Sequence, residues 1–303
     1  MEDKTPFFSA VIPVYNKGPH VARAIRSVLA QTWQDFELLL INDASTDESL
    51  EEMQKFTEPR IRILHRDAPG PGGYAARNLG IREAKAEWAA FLDADDEWFP
   101  EHLGKMKKLI LKYPHVKFFS CGWELENEKR RIQDLYSRES MKEGDHEIYC
   151  LRYLELSLKK RRPVCSDVAV ISKTIPFSST LFPEENQAKR GGDLHAWLKL
   201  ICSLKAMAWS SHIGAITYRD SVNMVSKSVA SSVCLMNIEK YNALSVSLNK
   251  KERTLLRKYF NRRLIGAAKE NIIIYGKKGF SLPTKLFFRG DMFFAVLWSG
   301  VFF

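Results

Sequence analysis

The stretch Trp88–Trp98, WAAFLDADDEW, decides the fold class. Its apolar half, 88–92, is a short continuous run typical of a buried strand, and it ends in the carboxylates Asp93, Asp95 and Asp96. These neighbouring acids repel one another, so their assembly requires a counter-charge, and a divalent cation that prefers oxygen ligands would supply one. The alternative is a solvated turn that ends the strand and begins the helix after Pro100.

The chain before this stretch alternates between two kinds of segment. Short apolar runs at 7–14 (FFSAVIPV), 36–41 (FELLLI) and 61–64 predict buried strands. Helical spacing of apolar residues at 21–29, a capping-box pattern at Ser45 and Glu48, and the segment after Gly70–Gly73 predict the helices between them. This alternation indicates a mostly parallel sheet, flanked by helices, with right-handed crossovers.

Polar residues follow three of these strands directly. Tyr15 and Asn16 come after the first strand, Asp43 after the second, and the acids from Asp93 onward after the strand at 88–92. In parallel sheets, ligands bind outside the carboxyl ends of the strands. The sequence therefore predicts that these side chains converge on one ligand site.

The second half of the chain gives weaker patterns. Apolar spacing predicts helices after Pro100, at 148–158, at 193–204 and from 232 onward, and strands at 116–123, 168–171 and 207–218. The charge-rich segment 124–145 is interpreted as an exposed hairpin or loop.

Charge is distributed unevenly along the 303 residues. Residues 250–289 contain twelve Lys or Arg and two acids, whereas the remaining chain contains 34 basic and 34 acidic residues, so the net charge of +10 belongs to this segment. Such asymmetry indicates an anionic surface as its partner. The segment carries no recognised nucleic-acid-binding motif, so we expect no nucleic acid partner.

The cysteines predict reduced thiols. The five cysteines are dispersed and lack the spacing of zinc motifs, and the start MEDKTPFF does not have the pattern of a signal peptide. We therefore expect a cytoplasmic protein in which no cysteine is a strong nucleophile candidate.

The motifs resemble a known family in order and spacing. The blocks VIPVYNKGPHVARAIRSVLAQTW, FELLLINDASTDES and AARNLGIREAKAEWAAFLDADDEW resemble the inverting family 2 glycosyltransferases, which have the GT-A fold, an α/β fold with a Rossmann-like sheet. The resemblance covers roughly the first hundred residues. It implies a GT-A domain at 1–230, with a nucleotide-sugar-binding half at 1–123 and an acceptor-binding half at 124–230, followed by a helical, basic region at 231–303.

The resemblance also implies roles for individual residues. Asp43 would accept a hydrogen bond from the base of a nucleotide-sugar donor, most simply a UDP-sugar, and Arg77 would lie near the diphosphate or the acids. Asp95 would be the primary ligand of Mg²⁺ or Mn²⁺, and Asp93 a second ligand near the ribose, whereas Asp96 would be structural. The remaining predicted donor contacts are Pro13, Val14, Tyr15, Asn16 and Ala94.

The predicted general base is Asp193, in the sequence Gly191-Gly192-Asp193-Leu194-His195. Relatives usually have Glu-Asp here, so Gly192 departs from the pattern. The alternatives are that Asp193 only caps the following helix, or that His195 is the base. Tyr218, Arg219, Asn223 and Ser226 weakly resemble a later loop that closes over the donor.

The C-terminal basic segment predicts a membrane contact. Basic residues beside Leu286–Phe288 and the aromatic run 292–303, which is too short to span a bilayer, suit the interface of an anionic membrane. The alternative is that the terminal phenylalanines pack on the domain. By resemblance, the acceptor is a saccharide or a lipid-linked saccharide of a bacterial surface polysaccharide, which would be presented on the cytoplasmic face of the inner membrane.

Two other functions stay open at this level. A sugar-phosphate nucleotidyltransferase also combines an α/β sheet with acids, but it would require a Gly-rich, basic loop after the first strand, and VYNKGPH is a poor one. A non-catalytic scaffold that kept the fold is the other alternative.

Overall fold

A computed structural model of the chain describes residues 5–128, 130–223 and 233–275. The strands are β1 Phe8–Val14, β2 Phe36–Asn42, β3 Ile61–His65, β4 Trp88–Phe91, β5 Glu97–Trp98, β6 Phe118–Asn127, β7 Arg130–Gln133, β8 His146–Tyr149, β9 Val170–Ser172 and β10 Ala206–Tyr218. The helices are α1 Gly18–Leu29, α2 Ser49–Gln54, α3 Tyr74–Glu83, α4 His102–Lys112, α5 Leu135–Ser140, α6 Cys150–Leu158, α7 Gly192–Leu204, α8 Ile238–Ser245 and α9 Lys250–Tyr275.

The described strands form one mixed sheet in the order β3-β2-β1-β4-β9-β6-β10-β5, with β7 beside β6 and β8 beside β10. Strands β3, β2, β1 and β4 are parallel, as the sequence predicts. The short strand β9 is antiparallel to both β4 and β6. The amino end of β9 therefore lies at the same edge of the sheet as the carboxyl ends of β1, β2 and β4.

The pairing register of β1 with β2 and β4 brings the carboxyl ends of these three strands side by side. Val14 pairs with Asn42, so Tyr15 and Asp43 leave the sheet side by side. β4 pairs with β1 from Trp88 onward, and the Leu92 N–H donates to the Val11 carbonyl at 3.1 Å, which brings the acids after β4 to the same edge. The predicted convergence of three strand ends is thus confirmed.

The central strands are buried on both faces. Along β1 and β2, alternate side chains enter two different hydrophobic clusters, so Val11 and Leu39 lie on one face and Ile12 and Leu40 on the other. Helices α1 and α4 cover the second face, and α3, α6, α7 and α9 cover the first. Double burial explains why these strands have continuous apolar sequences rather than alternating ones.

Helix α9 packs against α6. Its residues Leu256, Phe260 and Leu264 recur every four positions and are buried in the first cluster. The helical character predicted for the C-terminal region is confirmed here. The predicted membrane segment, Leu286–Phe288 and 292–303, lies outside the described residues, and so does Ser226. Within the described residues, no helix is both long and apolar enough to cross a membrane.

Two local predictions need correction. The predicted capping box of Ser45 and Glu48 is wrong, because α2 begins later, at Ser49. The Ser49 N–H donates to Asp47 Oδ1 at 3.0 Å. The Ser45 hydroxyl instead accepts the Asn16 N–H at 3.2 Å. The segment 124–145 does form a hairpin, β6–β7, but it continues into helix α5. All five cysteines are free thiols, as the sequence predicts.

Candidate active site

A cavity of about 890 Å³ opens at the carboxyl edge of the sheet. Nine of the ten predicted site residues line it: Pro13, Val14, Tyr15, Asp43, Arg77, Asp93, Ala94, Asp95 and Asp193. The volume lies within the range of small-ligand sites in proteins. The structure therefore brings together residues that are up to 180 positions apart in the chain.

The tenth residue, Asn16, has a supporting position. Its Oδ1 accepts the Thr46 N–H at 2.8 Å, and its carbonyl accepts a hydrogen bond from Asn223 Nδ2 at 3.1 Å. Asn16 has φ of +51°, a left-handed conformation that Asn tolerates better than most residues. The loop after β1 is thus tied to the loop after β2, and this fixes Tyr15 at the cavity.

Asp43 is held rigidly at the end of β2. Its side chain is 1% exposed, pairs with Arg66 and accepts the Gly70 N–H at 3.1 Å. Burial raises the pKa of the Asp43 carboxyl, and the hydrogen bonds from Gly70 and Arg66 offset part of that rise. The glycine loop 70–73, in which Gly72 and Gly73 have positive φ, therefore orients this carboxylate.

Each acid of the Asp93/Asp95 pair has a cation from the chain. Arg77, which is buried, pairs with Asp93, and Lys17 Nζ lies 2.7 Å from Asp95 Oδ2. Arg23 donates to the Asp95 carbonyl. Arg77 and Lys17 supply the counter-charge that the sequence requires, and Lys17 is a residue that sequence reasoning missed.

A fourth carboxylate, Asp167, lies with Asp93, Asp95 and Asp96 at this wall, and the four residues are called here the acidic cluster. Oxygens of Asp93, Asp96 and Asp167 lie within 4.8 Å of one another, an arrangement able to hold a metal ion. Asp167 Oδ1 accepts the Asp93 N–H at 3.0 Å, and Asp96 Oδ1 accepts the Tyr218 N–H at 2.8 Å. Asp167 stands immediately before a predicted strand, and only an antiparallel β9 brings that position to the cavity.

Asp96 and Asp167 are both buried, and the pKa values of both carboxyl groups are raised. Burial, together with repulsion from Asp167, raises the pKa of Asp96 well above its usual value, and burial raises the pKa of Asp167 to about 7. Like charges this close in a dry environment do not both ionise readily. Asp96 is the most deeply buried of the three acids after β4, although all three line the cavity.

Asp193 lies in the first turn of α7. Gly191, with φ of +88°, precedes the helix, and the Gly192 N–H donates to the Tyr74 hydroxyl at 2.9 Å. A Cβ at position 192 would lie 2.6 Å from the Tyr74 ring and 2.7 Å from Pro183. The absence of the usual Glu at this position thus follows from the close approach of Tyr74.

His195, the competing base, is buried on the other side of α7 and does not line the cavity. Burial lowers its pKa to about 4. Its Nδ1 has no partner among the described residues. Of the two residues, Asp193 is the one in contact with the cavity.

Basic side chains line another part of the cavity: Arg162, Lys189, Arg190, Arg219 and Arg263. Arg190 pairs with Glu270 of α9 at 3.2 Å. Arg263 also comes from α9, and its Nη2 would lie 2.7 Å from a Cβ at Gly191, beside the start of α7. Sequence reasoning favoured a membrane contact for the basic residues of this segment, because no local pattern connects Arg263 with Asp193.

Residues 9–157 match the family model described as Glycosyl transferase family 2. Among curated proteins, the chain is 40% identical over 102 residues to the uncharacterized glycosyltransferase YibD of Escherichia coli, which covers 33% of this chain and 29% of YibD. The chain spans about a third of the length of the curated relatives that it matches first, with 29% and 36% of their lengths covered.

Two solved structures share the fold. TarS of S. aureus, in complex with UDP-GlcNAc, matches with a TM-score of 0.71 and 18% identity, covering 89% of this chain and 76% of TarS. A mannosyltransferase of Pyrobaculum calidifontis, in complex with GDP-Man and Mn²⁺, matches with a TM-score of 0.58 and 16% identity, covering 98% of this chain and 81% of that chain. The GT-A architecture predicted from the sequence is confirmed.

Proposed function

Because the chain belongs to glycosyl transferase family 2 through its residues 9–157, we propose that it transfers a sugar from a nucleotide-diphosphate sugar to a saccharide hydroxyl, with inversion. The observation that carries this proposal is the cavity in which Asp43, the acidic cluster and Asp193 meet. A UDP-sugar is the proposed donor, and the UDP-GlcNAc complex of TarS supports that choice.

The nucleoside end of the donor would occupy the region near β1 and β2. The fixed carboxylate of Asp43 would accept the imide N–H of the base, since an ionised carboxylate offers only acceptor oxygens. Pro13, Val14 and Tyr15 would border the nucleoside. Ala94, which lies between the two acids and also lines the cavity, would allow the donor to approach the backbone there.

The diphosphate end would lie at Asp93 and Asp95. The carboxylates at this wall offer oxygen ligands alone, which fits Mg²⁺ or Mn²⁺. Asp95 and Asp93, which both line the cavity, would hold the ion. When bound, such an ion stabilises the negative charge that develops on the leaving diphosphate. Arg77 and Lys17 lie at the same wall and would add positive charge there.

Asp193 would act as the general base. Inversion requires a base that removes the proton from the acceptor hydroxyl as that hydroxyl attacks the sugar, and a carboxylate within hydrogen-bond reach performs this role. Asp193 comes from a different element than the donor-binding acids, so donor and acceptor can enter the cavity from separate sides. Tyr74, through the Gly192 N–H, would hold the first turn of α7 in place.

The acceptor would carry negative charge. Arg162, Lys189 and Arg263 line the cavity with Asp193, and guanidinium groups bind phosphate well. A saccharide linked to a lipid through phosphate has this chemistry, and surface polysaccharide assembly is the setting we propose. Arg263→Gln should then raise the KM for a phosphorylated acceptor at least several-fold, and an unchanged KM would contradict the proposal.

The place of action would be the cytoplasmic face of the inner membrane, with residues 250–289 near anionic lipid. The basic excess of this segment supports the proposal. A chain truncated after Lys285 should no longer sediment with anionic liposomes, whereas the full chain should. Continued sedimentation of the truncated chain would show that the terminal residues are not required.

Mutation of the two key acids tests the transferase proposal. Purified protein is incubated with Mn²⁺ and UDP-, GDP- or dTDP-sugars, and nucleoside diphosphate release and thermal shift are measured. Asp95→Ala should lose donor stabilisation and turnover. Asp193→Ala should bind donor normally but transfer about 10²- to 10⁴-fold more slowly.

Four outcomes would oppose this assignment. Wild-type turnover in Asp95→Ala would remove the proposed metal ligand, and wild-type transfer in Asp193→Ala would remove the base. Release of pyrophosphate from a nucleoside triphosphate would favour the nucleotidyltransferase alternative. Donor binding without any turnover would favour the scaffold.

A further inference from the structure

Three potential metal ligands meet in the layer between α4 and the sheet. His102 is the first residue of α4, Cys121 lies on β6 and His212 on β10, and their ligand atoms all lie within 4.8 Å of one another. His102 and Cys121 are fully buried. We propose that this cluster, called here the soft site, binds Zn²⁺ or a similar borderline-soft divalent cation, separately from the donor cavity.

The distances agree with tetrahedral coordination. Cys121 Sγ lies 3.7 Å from His102 Nδ1, and His212 Nε2 lies 3.4 Å from the same atom. Zinc bonds of about 2.3 Å to sulfur and about 2.0–2.1 Å to nitrogen, at tetrahedral angles, place sulfur and nitrogen about 3.5 Å apart and two nitrogens about 3.3 Å apart. The side chains already stand at nearly these separations.

The surroundings of His212 orient its free nitrogen. His212 Nδ1 lies 3.0 Å from the Ser210 hydroxyl, which donates to Asp145 Oδ1 at 2.8 Å. With Nδ1–H donating to Ser210, the lone pair of Nε2 faces Cys121 and His102. Metal-binding histidines in proteins are commonly held by such a chain ending in a carboxylate.

The backbone of β10 makes room for the cluster. A Cβ at Gly214 would lie 2.3 Å from His102 Nδ1 and 2.5 Å from Cys121 Sγ, so only glycine fits opposite these atoms. The pairing of β10 with β6 shifts register between Ser210 and Ile213, which turns His212 toward β6. Glycine inside a strand often marks such a close approach.

A simpler reading is a buried hydrogen-bonded trio without metal. The His102 ring lies tilted against Trp98, with ring centroids 4.8 Å apart, and burial lowers the pKa of His102 well below its usual value. His102 Nε2 is buried without a partner among the described residues with or without an ion, because Cys121 and His212 both face Nδ1. Gly214 is required in either case, because its Cβ would collide with His102 and Cys121 themselves. The cation is favoured by the separations of the three ligand atoms and by the orientation of His212 Nε2.

The bound ion would join three elements that are distant in sequence. Three protein ligands and one water would complete a tetrahedral site, with Cys121 as the thiolate after its proton leaves to solvent. Trp98, the neighbour of His102, donates to the Asp167 carbonyl at 2.5 Å. The soft site would thus stabilise α4, β6 and β10 behind the acidic cluster without contacting substrate.

Cobalt spectroscopy on the full chain tests the site, because Co²⁺ bound to a thiolate gives a near-ultraviolet charge-transfer band and Co²⁺ bound only to oxygen does not. Wild-type protein should give this band at one equivalent of Co²⁺, and Zn²⁺ should displace it. Cys121→Ser should abolish the band, and His212→Gln should weaken Co²⁺ binding at least about 10-fold.

Matched variants separate the soft site from other groups. Cys234→Ser and His115→Gln change a thiol and a histidine elsewhere in the fold, and Asp95→Ala changes the acidic cluster, so all three should keep the band. Zn²⁺ should raise the Tm of wild type but not of Cys121→Ser. A wild-type protein without the band, or a band that survives in Cys121→Ser, would overturn the proposal, and the wild-type spectrum decides even where a variant fails to fold.

Discussion

The acidic cluster and the soft site are both groups of potential metal ligands, but they differ in chemistry and surroundings. Asp93 and Asp95 are carboxyl groups at a cavity wall, and each is paired with a cation of the chain. His102, Cys121 and His212 are nitrogen and sulfur groups between α4 and the sheet, with His102 and Cys121 buried and His212 half-buried. Charge therefore requires counter-charge and access to water, whereas neutral ligands can be enclosed in the core.

This difference indicates separate tasks. A site for phosphate chemistry must open to a large anionic ligand, and the cavity of about 890 Å³ does so. A site enclosed by helix and sheet can only hold the fold together. The soft site and the acidic cluster are nevertheless connected through Trp98. Its ring lies against His102, and its indole N–H donates to the Asp167 carbonyl.

The largest expected effect is on turnover. Asp93→Asn should lower kcat by about 10²- to 10³-fold, because it removes a proposed metal ligand and the charge that pairs with Arg77. Cys121→Ser should keep kcat within about threefold at 25 °C but lower the Tm. Steady-state kinetics and thermal unfolding of both variants measure the contrast.

Glu51→Gln on the exposed face of α2 is the control for Asp93→Asn, and Cys234→Ser is the control for Cys121→Ser. Equal losses of kcat in Asp93→Asn and Cys121→Ser would mean that the two groups act as one functional unit. That result would contradict separate roles for the acidic cluster and the soft site.

A smaller effect is expected from packing at the cavity wall. Gly192→Ala should lower the free energy of unfolding by about 1–3 kcal/mol, because its Cβ would meet the Tyr74 ring at 2.6 Å. Gly266→Ala, in α9 with nothing within 4 Å of its Cβ, should instead raise it by about 1 kcal/mol. Urea denaturation of both variants measures the difference, and a neutral Gly192→Ala would show that Tyr74 can move away.

The smallest expected effect concerns His195, a buried histidine that is not part of the soft site. Burial lowers its pKa to about 4, below its unfolded value of 6.5. Between these pH values the unfolded chain binds the proton and the folded chain does not. The contribution of neutral His195 to the free energy of unfolding is therefore complete above pH 6.5. It decreases toward pH 4 by up to about 1.4 kcal/mol per pH unit.

Denaturant unfolding at pH 7 and at pH 5.5 checks the pH dependence of His195. His195→Gln should lose less stability than wild type over that interval, whereas the exposed His115→Gln should behave like wild type. An identical pH dependence in His195→Gln and wild type would show that the pKa of this imidazole does not differ between the folded and the unfolded chain.

Sequence patterns predicted the parallel half of the sheet and the polar residues at its strand ends, since those residues follow directly on apolar strands. Asp43 and Asp93 were found in this way. Arg77 and Asp193, which lie in helices, were assigned through the family resemblance.

Asp167 was not found from the sequence, because it precedes a strand and its position depends on β9 running antiparallel. Lys17 and Arg263 were also missed, since a long basic side chain carries no local signal of its ionic partner.

The amino-acid order alone thus determined the strand–helix alternation, the acids at the strand ends and the basic character of the C-terminal helices, because these depend on local periodicity and composition. Only the tertiary structure decided which acids carry a paired cation, why position 192 is glycine, and that the side chains of residues 102, 121 and 212 meet. Cysteine spacing gave no zinc signal because the three ligands come from distant elements. Their approach is produced by the packing of α4 on β6 and β10, which no short window of sequence contains.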